Sequence, residues 1–153
     1  MSYPTLRLHP RKEESVLRFH PWIFSGAIAS FSAPVEDGDL VSVVDSKGRP
    51  LGTGHFGGGS IAVRLLSFDA EDIIDRAFYK RCLKAALRLR LSCDLVRPVG
   101  SSDSPNTTYR LVHGEGDSLP GLIIDIYDRT AVVQAHSLGM HQARKPIAEG
   151  LWG

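Results

Sequence analysis

The 153-residue sequence has few cysteines and no long apolar run, and both shortages narrow what the protein can be. Cys82 and Cys93 form no CxxC motif and have no nearby pair of histidines, which argues against a metal knuckle or a redox motif. The longest apolar stretches, such as 122–124, are far too short to cross a bilayer, and residues 1–14 lack the apolar core of a signal peptide. We therefore expect reduced cysteines, no membrane partner and a cytoplasmic location.

Several catalytic signatures are also missing. None of the six histidines belongs to an HExxH or HxxxH pair, and no serine lies in a GxSxG elbow, so metalloprotease and hydrolase sites lack their minimal parts. We predict no catalytic and no metal-binding residue in this chain. The formal net charge of +1 gives no global attraction to nucleic acid, so any RNA affinity must come from how the charge is distributed.

Short β-like segments separated by turn residues occupy the N-terminal part of the chain. Three apolar runs follow turn sequences there, at residues 40–44, 51–56 and 61–67. In the last run Arg64 lies between Val63 and Leu65, which places it on the opposite face of a strand. The pattern predicts a small β barrel or sandwich over residues 4–68.

A change to helical spacing marks residues 69–98 as a connecting helix. Asp69 is the candidate N-cap, and an apolar stripe follows it: Ile74, Phe78, Cys82, Ala85 and Leu89. The opposite face carries a cation at every fourth residue: Arg76, Lys80, Lys84 and Arg88. Such a basic face is usually just solvated, but Asp94 is the only acidic residue between Arg76 and Arg97, which raises the odds that this face binds a polyanion.

The remaining residues predict a linker and a second small module. Residues 99–108 are rich in Ser, Pro, Asn and Gly, as in linkers. Strands are expected at 109–112, 122–127 and 131–135, with a hairpin at Asp128-Arg129, and a helix over 140–151. Pro146 interrupts that helix unless it lies near its first turn. The fold class is therefore α+β, with a partial strand-strand-helix module over residues 109–153.

The string Gly52-Thr53-Gly54-His55-Phe56-Gly57 matches the dinucleotide-binding pattern GxGxxG. A strand-like segment follows it instead of a helix, so the strand-helix-strand context that the motif needs is missing. We therefore expect no cofactor at this segment, neither a dinucleotide nor S-adenosylmethionine, and interpret the glycines as bulge or turn formers.

Two further clusters carry polar chemistry. Glu115 and Asp117 lie in a glycine-rich loop, where they could form an acid–base pair, although carboxylates in such loops more often accept backbone N–H bonds and fix the turn. Earlier in the chain, Arg18 and His20 precede the run Trp22-Ile23-Phe24. We expect Trp22 and Phe24 to pack, and Arg18 and His20 to contact phosphate or an unstacked base.

These segments resemble a known family. The string from Arg18 to Ile28, the pair Gly38-Asp39 and residues 45–52 resemble the PUA domain of the large-subunit 23S ribosomal-RNA cytosine-5 methyltransferase I family. Residues 109–115 and 117–125 resemble the opening of the strand-strand-helix-strand-strand domain that follows the PUA domain in that family. The resemblance covers nearly the whole chain.

The resemblance implies an enzyme whose PUA and middle domains help to hold 23S ribosomal RNA, while a C-terminal Rossmann-like domain binds S-adenosylmethionine and carries the catalytic cysteine. On this basis we expect the chain to be the RNA-binding front portion without the catalytic domain and without a cofactor of its own. Neither Cys82 nor Cys93 matches the catalytic cysteine, and Pro146 departs from the family's helix. The expected RNA contacts are Arg18, His20, Arg64, Lys80, Lys84 and Arg88.

Two other interpretations remain open. The chain could be a stand-alone RNA-binding or adaptor protein without enzymatic activity, or a protein-interaction module, which would show no salt-dependent RNA binding. A partial second module would also leave an open sheet edge, and open edges invite pairing between chains, so a homodimer is a further expectation.

Overall fold

The computed structural model describes residues 3–97 and 106–152. In these two stretches the chain forms a curled six-stranded sheet, a long helix, and a three-stranded antiparallel sheet followed by two further helices. This architecture confirms the predicted α+β class. None of the helices in the described stretches has the length and apolar character needed to cross a membrane.

The first sheet is a half-barrel built from short strands. Its elements are β1 (Thr5–Leu8), α1 (Glu14–Leu17), β2 (Trp22–Phe24), β3 (Ile28–Phe31), β4 (Leu40–Val44), β5 (Pro50–Phe56) and β6 (Ile61–Ser67). The strand order is β2-β6-β5-β4-β1-β3, and each pairing is antiparallel except the parallel pairing of β1 with β4. Alternating side chains of these strands fill one core. The predicted runs 40–44 and 61–67 are confirmed. The predicted run 51–56 is also a strand, but it begins one residue earlier, at Pro50.

The glycines of β5 are required because β6 comes very close. A Cβ added to Gly54 would lie 2.3 Å from the carbonyl oxygen of Arg64. A Cβ added to Gly52 would lie 2.2 Å from the carbonyl oxygen of Ser67, and the φ of Gly52 is +151°, which also favours glycine. The pairing register shifts between Thr53 and Gly54, as at a β-bulge. The GxGxxG string is therefore a bulged strand followed by another strand, as the sequence predicted.

Helix α2 spans Arg76–Ser92, so the predicted N-cap at Asp69 is wrong. Asp75 caps the helix instead, with its carboxylate accepting a 2.9 Å hydrogen bond from the backbone N–H of Phe78. Asp69 accepts from the N–H of Glu71 in a preceding turn. Local side-chain bonds of this kind compete with helix formation and delay its start.

Replacing Asp75 with alanine is expected to lower the free energy of unfolding by about 1 kcal/mol, because the helix loses its capping acceptor. Asp69→Ala is the matched control, and its loss should stay within about 0.5 kcal/mol because that side chain bonds only an exposed turn. Urea denaturation of both variants measures the difference. A larger loss of unfolding free energy for Asp69→Ala than for Asp75→Ala would mean that Asp69 is the N-cap, as the sequence predicted.

The buried face of α2 is also displaced from the predicted stripe. Its buried residues are Phe78, Tyr79, Leu83, Ala86 and Arg90. Ala85 is exposed and Leu89 is 49% exposed, so these two members of the apolar stripe lie outside the buried face. The helix packs against both β7 and α4, and contact with two neighbours buries a broad face instead of an i, i+4 line.

The second module contains three strands before its helices, at the three places where the sequence predicted strands. Its elements are β7 (Thr108–His113), a 3-10 turn (Gly114–Asp117), β8 (Leu122–Tyr127), β9 (Thr130–Ala135), α3 (Leu138–Gln142) and α4 (Arg144–Leu151). The strands pair in chain order, and the hairpin at Asp128, where φ is +52°, is confirmed. Pro146 lies in the first turn of α4, where its missing N–H costs little. Of the predicted linker, residues 99–105 lie outside the described residues.

Strand β6 contributes to the cores of both modules. Val63 and Leu65 lie in the core of the six-stranded sheet. Leu66 lies in a second core with Phe78 of α2 and Ile124 of β8. Because successive side chains of a strand point to opposite faces, one strand can serve two cores, and the two modules share it.

Candidate nucleic-acid interface

A groove lies where the six-stranded sheet meets the three-stranded sheet, and we call it the junction groove. It consists of a first cavity of about 410 Å³ and a second cavity of about 260 Å³. Arg64 and His136 line both cavities. The first cavity is also lined by Trp22, His113, Glu115 and Ile123, and the second by Asp37 and the turn 57–60.

The register of β6 places Arg64 in this groove. Arg64 is directly opposite Trp22 of β2 and, on its other side, His55 of β5. Opposed residues of paired strands project from the same face, so the guanidinium and the indole are neighbours. The core residue Val63 points the other way, as the sequence predicted. The guanidinium makes a weak 3.5 Å contact with the carbonyl of Ile61 and no ion pair with any described carboxylate.

The indole of Trp22 is held by two neighbours. Its Nε1–H donates a 2.8 Å hydrogen bond to Glu115 of the 3-10 turn, and this bond joins the two modules. The imidazole of His20 meets the indole edge-on at a centroid distance of 5.7 Å, and its Nδ1 accepts from the backbone N–H of Trp22. Trp22 is half-buried, whereas Phe24 is 52% exposed and was wrongly predicted to pack. Ile23 is the core residue of β2, so strand alternation turns both aromatic neighbours outward.

The two loop carboxylates fix structure and do not form an acid–base pair. Asp117 accepts two hydrogen bonds from the guanidinium of Arg90, one of them 2.8 Å long, and a 2.6 Å bond from the backbone N–H of His113. Glu115 is bonded to Trp22. Of the two interpretations left open by the sequence, the geometry therefore supports the turn-fixing one.

The open face of the second sheet continues from the junction groove. Arg110 forms an ion pair with Asp125, with its Nε 2.8 Å from Oδ1, and lies 3.3 Å from Nδ1 of His113. The hydrogen bond from Arg110 lowers the pKa of Asp125 below its usual value. This face therefore carries a neutralised pair, whereas Arg64 in the junction groove has no described carboxylate partner.

The six predicted RNA contacts fall into two sets. Arg64 lines the groove, His20 contacts the indole of Trp22, and Arg18 is exposed on the loop before β2. The other three lie on the outer side of α2, where Lys84 and Arg88 are exposed and Lys80 is half-buried. These three residues line neither cavity of the groove, so they form a second surface. His113 and His136, which the sequence did not single out as contacts, also line the first cavity.

Two buried polar side chains, His55 and Tyr79, lie below the groove. His55 is 6% exposed and Tyr79 is 1% exposed, and neither His55 Nδ1 nor the Tyr79 hydroxyl has a hydrogen-bond partner among the described residues. Both side chains line a third cavity of about 270 Å³. Burial lowers the pKa of His55 to about 4 and raises that of Tyr79. Both groups are therefore neutral near pH 7.

Known proteins resemble this chain in both sequence and fold. Residues 6–68 match a family described as a PUA-like domain. The chain is 35% identical over 151 residues to the ribosomal RNA large subunit methyltransferase I of Salmonella arizonae, and 38% identical over 143 residues to that of Alteromonas mediterranea. These matches cover 98% and 92% of this chain but 36% and 34% of the relatives. The chain thus spans about a third of the length of these curated relatives.

Two solved structures share the fold. A putative S-adenosylmethionine-dependent methyltransferase from Streptococcus mutans matches with a TM-score of 0.75 at 18% identity, over 99% of this chain and 37% of that one. A putative methyltransferase complexed with SAH matches with a TM-score of 0.76, also at 18% identity. At this identity the likeness establishes the arrangement of strands and helices.

Proposed function

We propose an RNA-binding function for this chain, which is homologous over nearly its whole length to the N-terminal part of ribosomal RNA large subunit methyltransferase I and contains a PUA-like domain. In this proposal the chain holds 23S ribosomal RNA in the cytoplasm for a cytosine-5 methyltransferase. Methyl transfer and S-adenosylmethionine binding are assigned to the remaining part of such an enzyme. The proposed division is a PUA-like domain at 4–68, a helical connector at 69–98, a linker at 99–108 and a middle domain at 109–153.

The junction groove is the observation that carries this proposal. Proteins recognise RNA largely through single-stranded segments, by stacking unpaired bases on aromatic rings and by contacting phosphates with cations. The groove offers the indole of Trp22 beside the unpaired guanidinium of Arg64, within the region that is homologous to an enzyme named for ribosomal RNA. The six contacts expected from the sequence remain part of the proposal, with Lys84 and Arg88 on a second surface.

Binding of a 23S rRNA fragment across a salt series tests the function. Each phosphate contact contributes roughly 0.7–0.9 to the slope of log K against log salt concentration, so Lys84→Gln with Arg88→Gln should reduce the slope by about 1.5. The matched control replaces two exposed lysines of the first sheet's turns, Lys12 and Lys47, with glutamine, and its slope should stay at the wild-type value. An unchanged slope for the helix variant would remove α2 from the interface.

Absence of any RNA binding by the wild-type chain at low salt would contradict the proposal itself. That outcome would favour the protein-interaction alternative. RNA binding that weakens steeply with salt supports the proposal, because the electrostatic contribution to RNA binding depends on counterion release.

A further inference from the structure

We infer that the junction groove binds two successive nucleotides of single-stranded RNA, with one base against Trp22 in the first cavity, the phosphodiester at Arg64 and His136, and the second nucleoside in the second cavity. This inference rests on the proposed RNA-binding function and specifies the form of RNA that the groove takes. Its support comes from three parts of the groove.

The first cavity suits a flat base. Its volume of about 410 Å³ falls within the range of about 300–1,000 Å³ found for small-ligand sites. Trp22 and Ile123 provide apolar surface, while His113 and Glu115 provide polar groups at its edge. Because the indole is already fixed by Glu115 and His20, stacking a base on it orders no additional side chain.

The wall between the cavities suits a phosphate. Arg64 and His136 line both cavities, so a group lying against them is reached from either side. Three other arginines, two of α2 and one of β7, are each paired with a carboxylate: Arg81 with Asp72, Arg90 with Asp117, and Arg110 with Asp125. Arg64 has no such partner among the described residues, and its planar fork of N–H donors matches a phosphate's oxygens.

The second cavity suits a nucleoside better than another phosphate. Asp37 lines it beside the glycine turn 57–60, and the carboxylate would repel a phosphate. A carboxylate does accept hydrogen bonds from a ribose 2′-hydroxyl or a base amino group. Along the groove the protein therefore presents an aromatic ring, then a cation, then a carboxylate. In that order these groups suit a base, a phosphate and a second nucleoside.

Only unpaired RNA can occupy such a groove. Bases within a duplex are stacked on their neighbours and present only their edges, so none can lie flat against an indole inside a cavity. A single strand can turn one base out of the stack at the cost of a few kcal/mol or less. The groove is accordingly specific for single-stranded segments, loops or bulges.

Fluorescence of Trp22 tests this arrangement directly. The chain has two tryptophans, and Trp152→Phe removes the exposed one, so the signal then reports the groove. Single-stranded hexa-adenylate is expected to quench Trp22 saturably, and a fully paired RNA duplex of equal length should neither quench it nor compete. In the same background Arg64→Gln should weaken hexa-adenylate binding about tenfold, as expected for losing one charge-assisted phosphate contact.

Arg129→Gln, on the exposed β8–β9 hairpin, is the matched control and should bind like the parent. Circular dichroism and urea denaturation confirm that each variant folds. Salt-dependent RNA binding without quenching of Trp22, or with Arg64→Gln equal to the control, would overturn the inference and leave the proposed function standing. Failure of the parent chain to bind any RNA would overturn the proposed function instead.

Discussion

Replacing Arg90 with methionine is expected to lower the free energy of unfolding by about 3–5 kcal/mol, because it leaves a buried carboxylate without its counter-charge. The side chain of Arg90 is 10% exposed and that of its partner Asp117 is 3% exposed. Arg90 also donates from Nε to the carbonyl of Arg110 at 3.0 Å, so the same side chain ties α2 to β7 and to the 3-10 turn. Methionine keeps the apolar stem and removes only these bonds.

Urea denaturation followed by circular dichroism measures the loss, and Arg81→Met provides the comparison. Arg81 is also paired with an aspartate, Asp72, but its side chain is 60% exposed, so we expect a loss of at most about 1 kcal/mol. Combining Arg90→Met with Asp117→Leu should recover much of the stability, since no charge then remains buried. Equal losses for Arg90→Met and Arg81→Met would show that burial of the first pair has no energetic consequence.

Acidification from about pH 6.5 to pH 4 is expected to destabilise the fold through His55. Burial lowers the pKa of this imidazole from 6.5 to about 4 in the folded chain, while the unfolded chain keeps the ordinary value. Between these two pH values the unfolded state binds a proton that the folded state does not, so the contribution to stability is present above pH 6.5 and is lost as the pH falls. At about 1.4 kcal/mol per pH unit, the total is about 3 kcal/mol.

The contribution of His55 is isolated by comparison with His55→Gln. Carboxylates also titrate in this range, but they do so in both proteins, so the difference between the two stability profiles reports the histidine alone. His9→Gln, at the exposed position directly after β1, should leave the wild-type profile unchanged. If stability depended on pH in the same way in the wild type and in His55→Gln, the imidazole would have to be protonated in the folded state. The structure makes that unfavourable, because the buried Nδ1 has no described hydrogen-bond partner.

The strands of this fold were predictable because each signal is local. Alternation along β6 gave the outward direction of Arg64, and turn residues gave the ends of β4 and the hairpin at Asp128. The start of α2 was not predictable in this way. Asp69 and Asp75 both have the chemistry of an N-cap, and a distant contact helps to hold the segment between them, where the backbone N–H of Ile74 donates to the hydroxyl of Tyr3.

Much of the candidate site depends on contacts that leave no local signal. The sequence identified Arg64 as a contact and predicted that Trp22 packs, but the pairing of the two residues required the register of β2 on β6. His113 and His136 come from the ends of two strands of the other sheet, and only the packing of the two modules brings them to the groove. The bond from Trp22 to Glu115 spans 93 residues of sequence, so no motif of either segment could indicate it.

The sharing of β6 by two cores has a mechanical consequence for the groove. Rotation of one module against the other would pull either Leu65 or Leu66 out of its hydrophobic surroundings, at a cost of roughly 1.5–3 kcal/mol for each side chain exposed to water. Free rotation of the two modules about β6 is therefore unfavourable. In the proposed complex the groove is therefore a template of fixed width, and the RNA adjusts its shape to it.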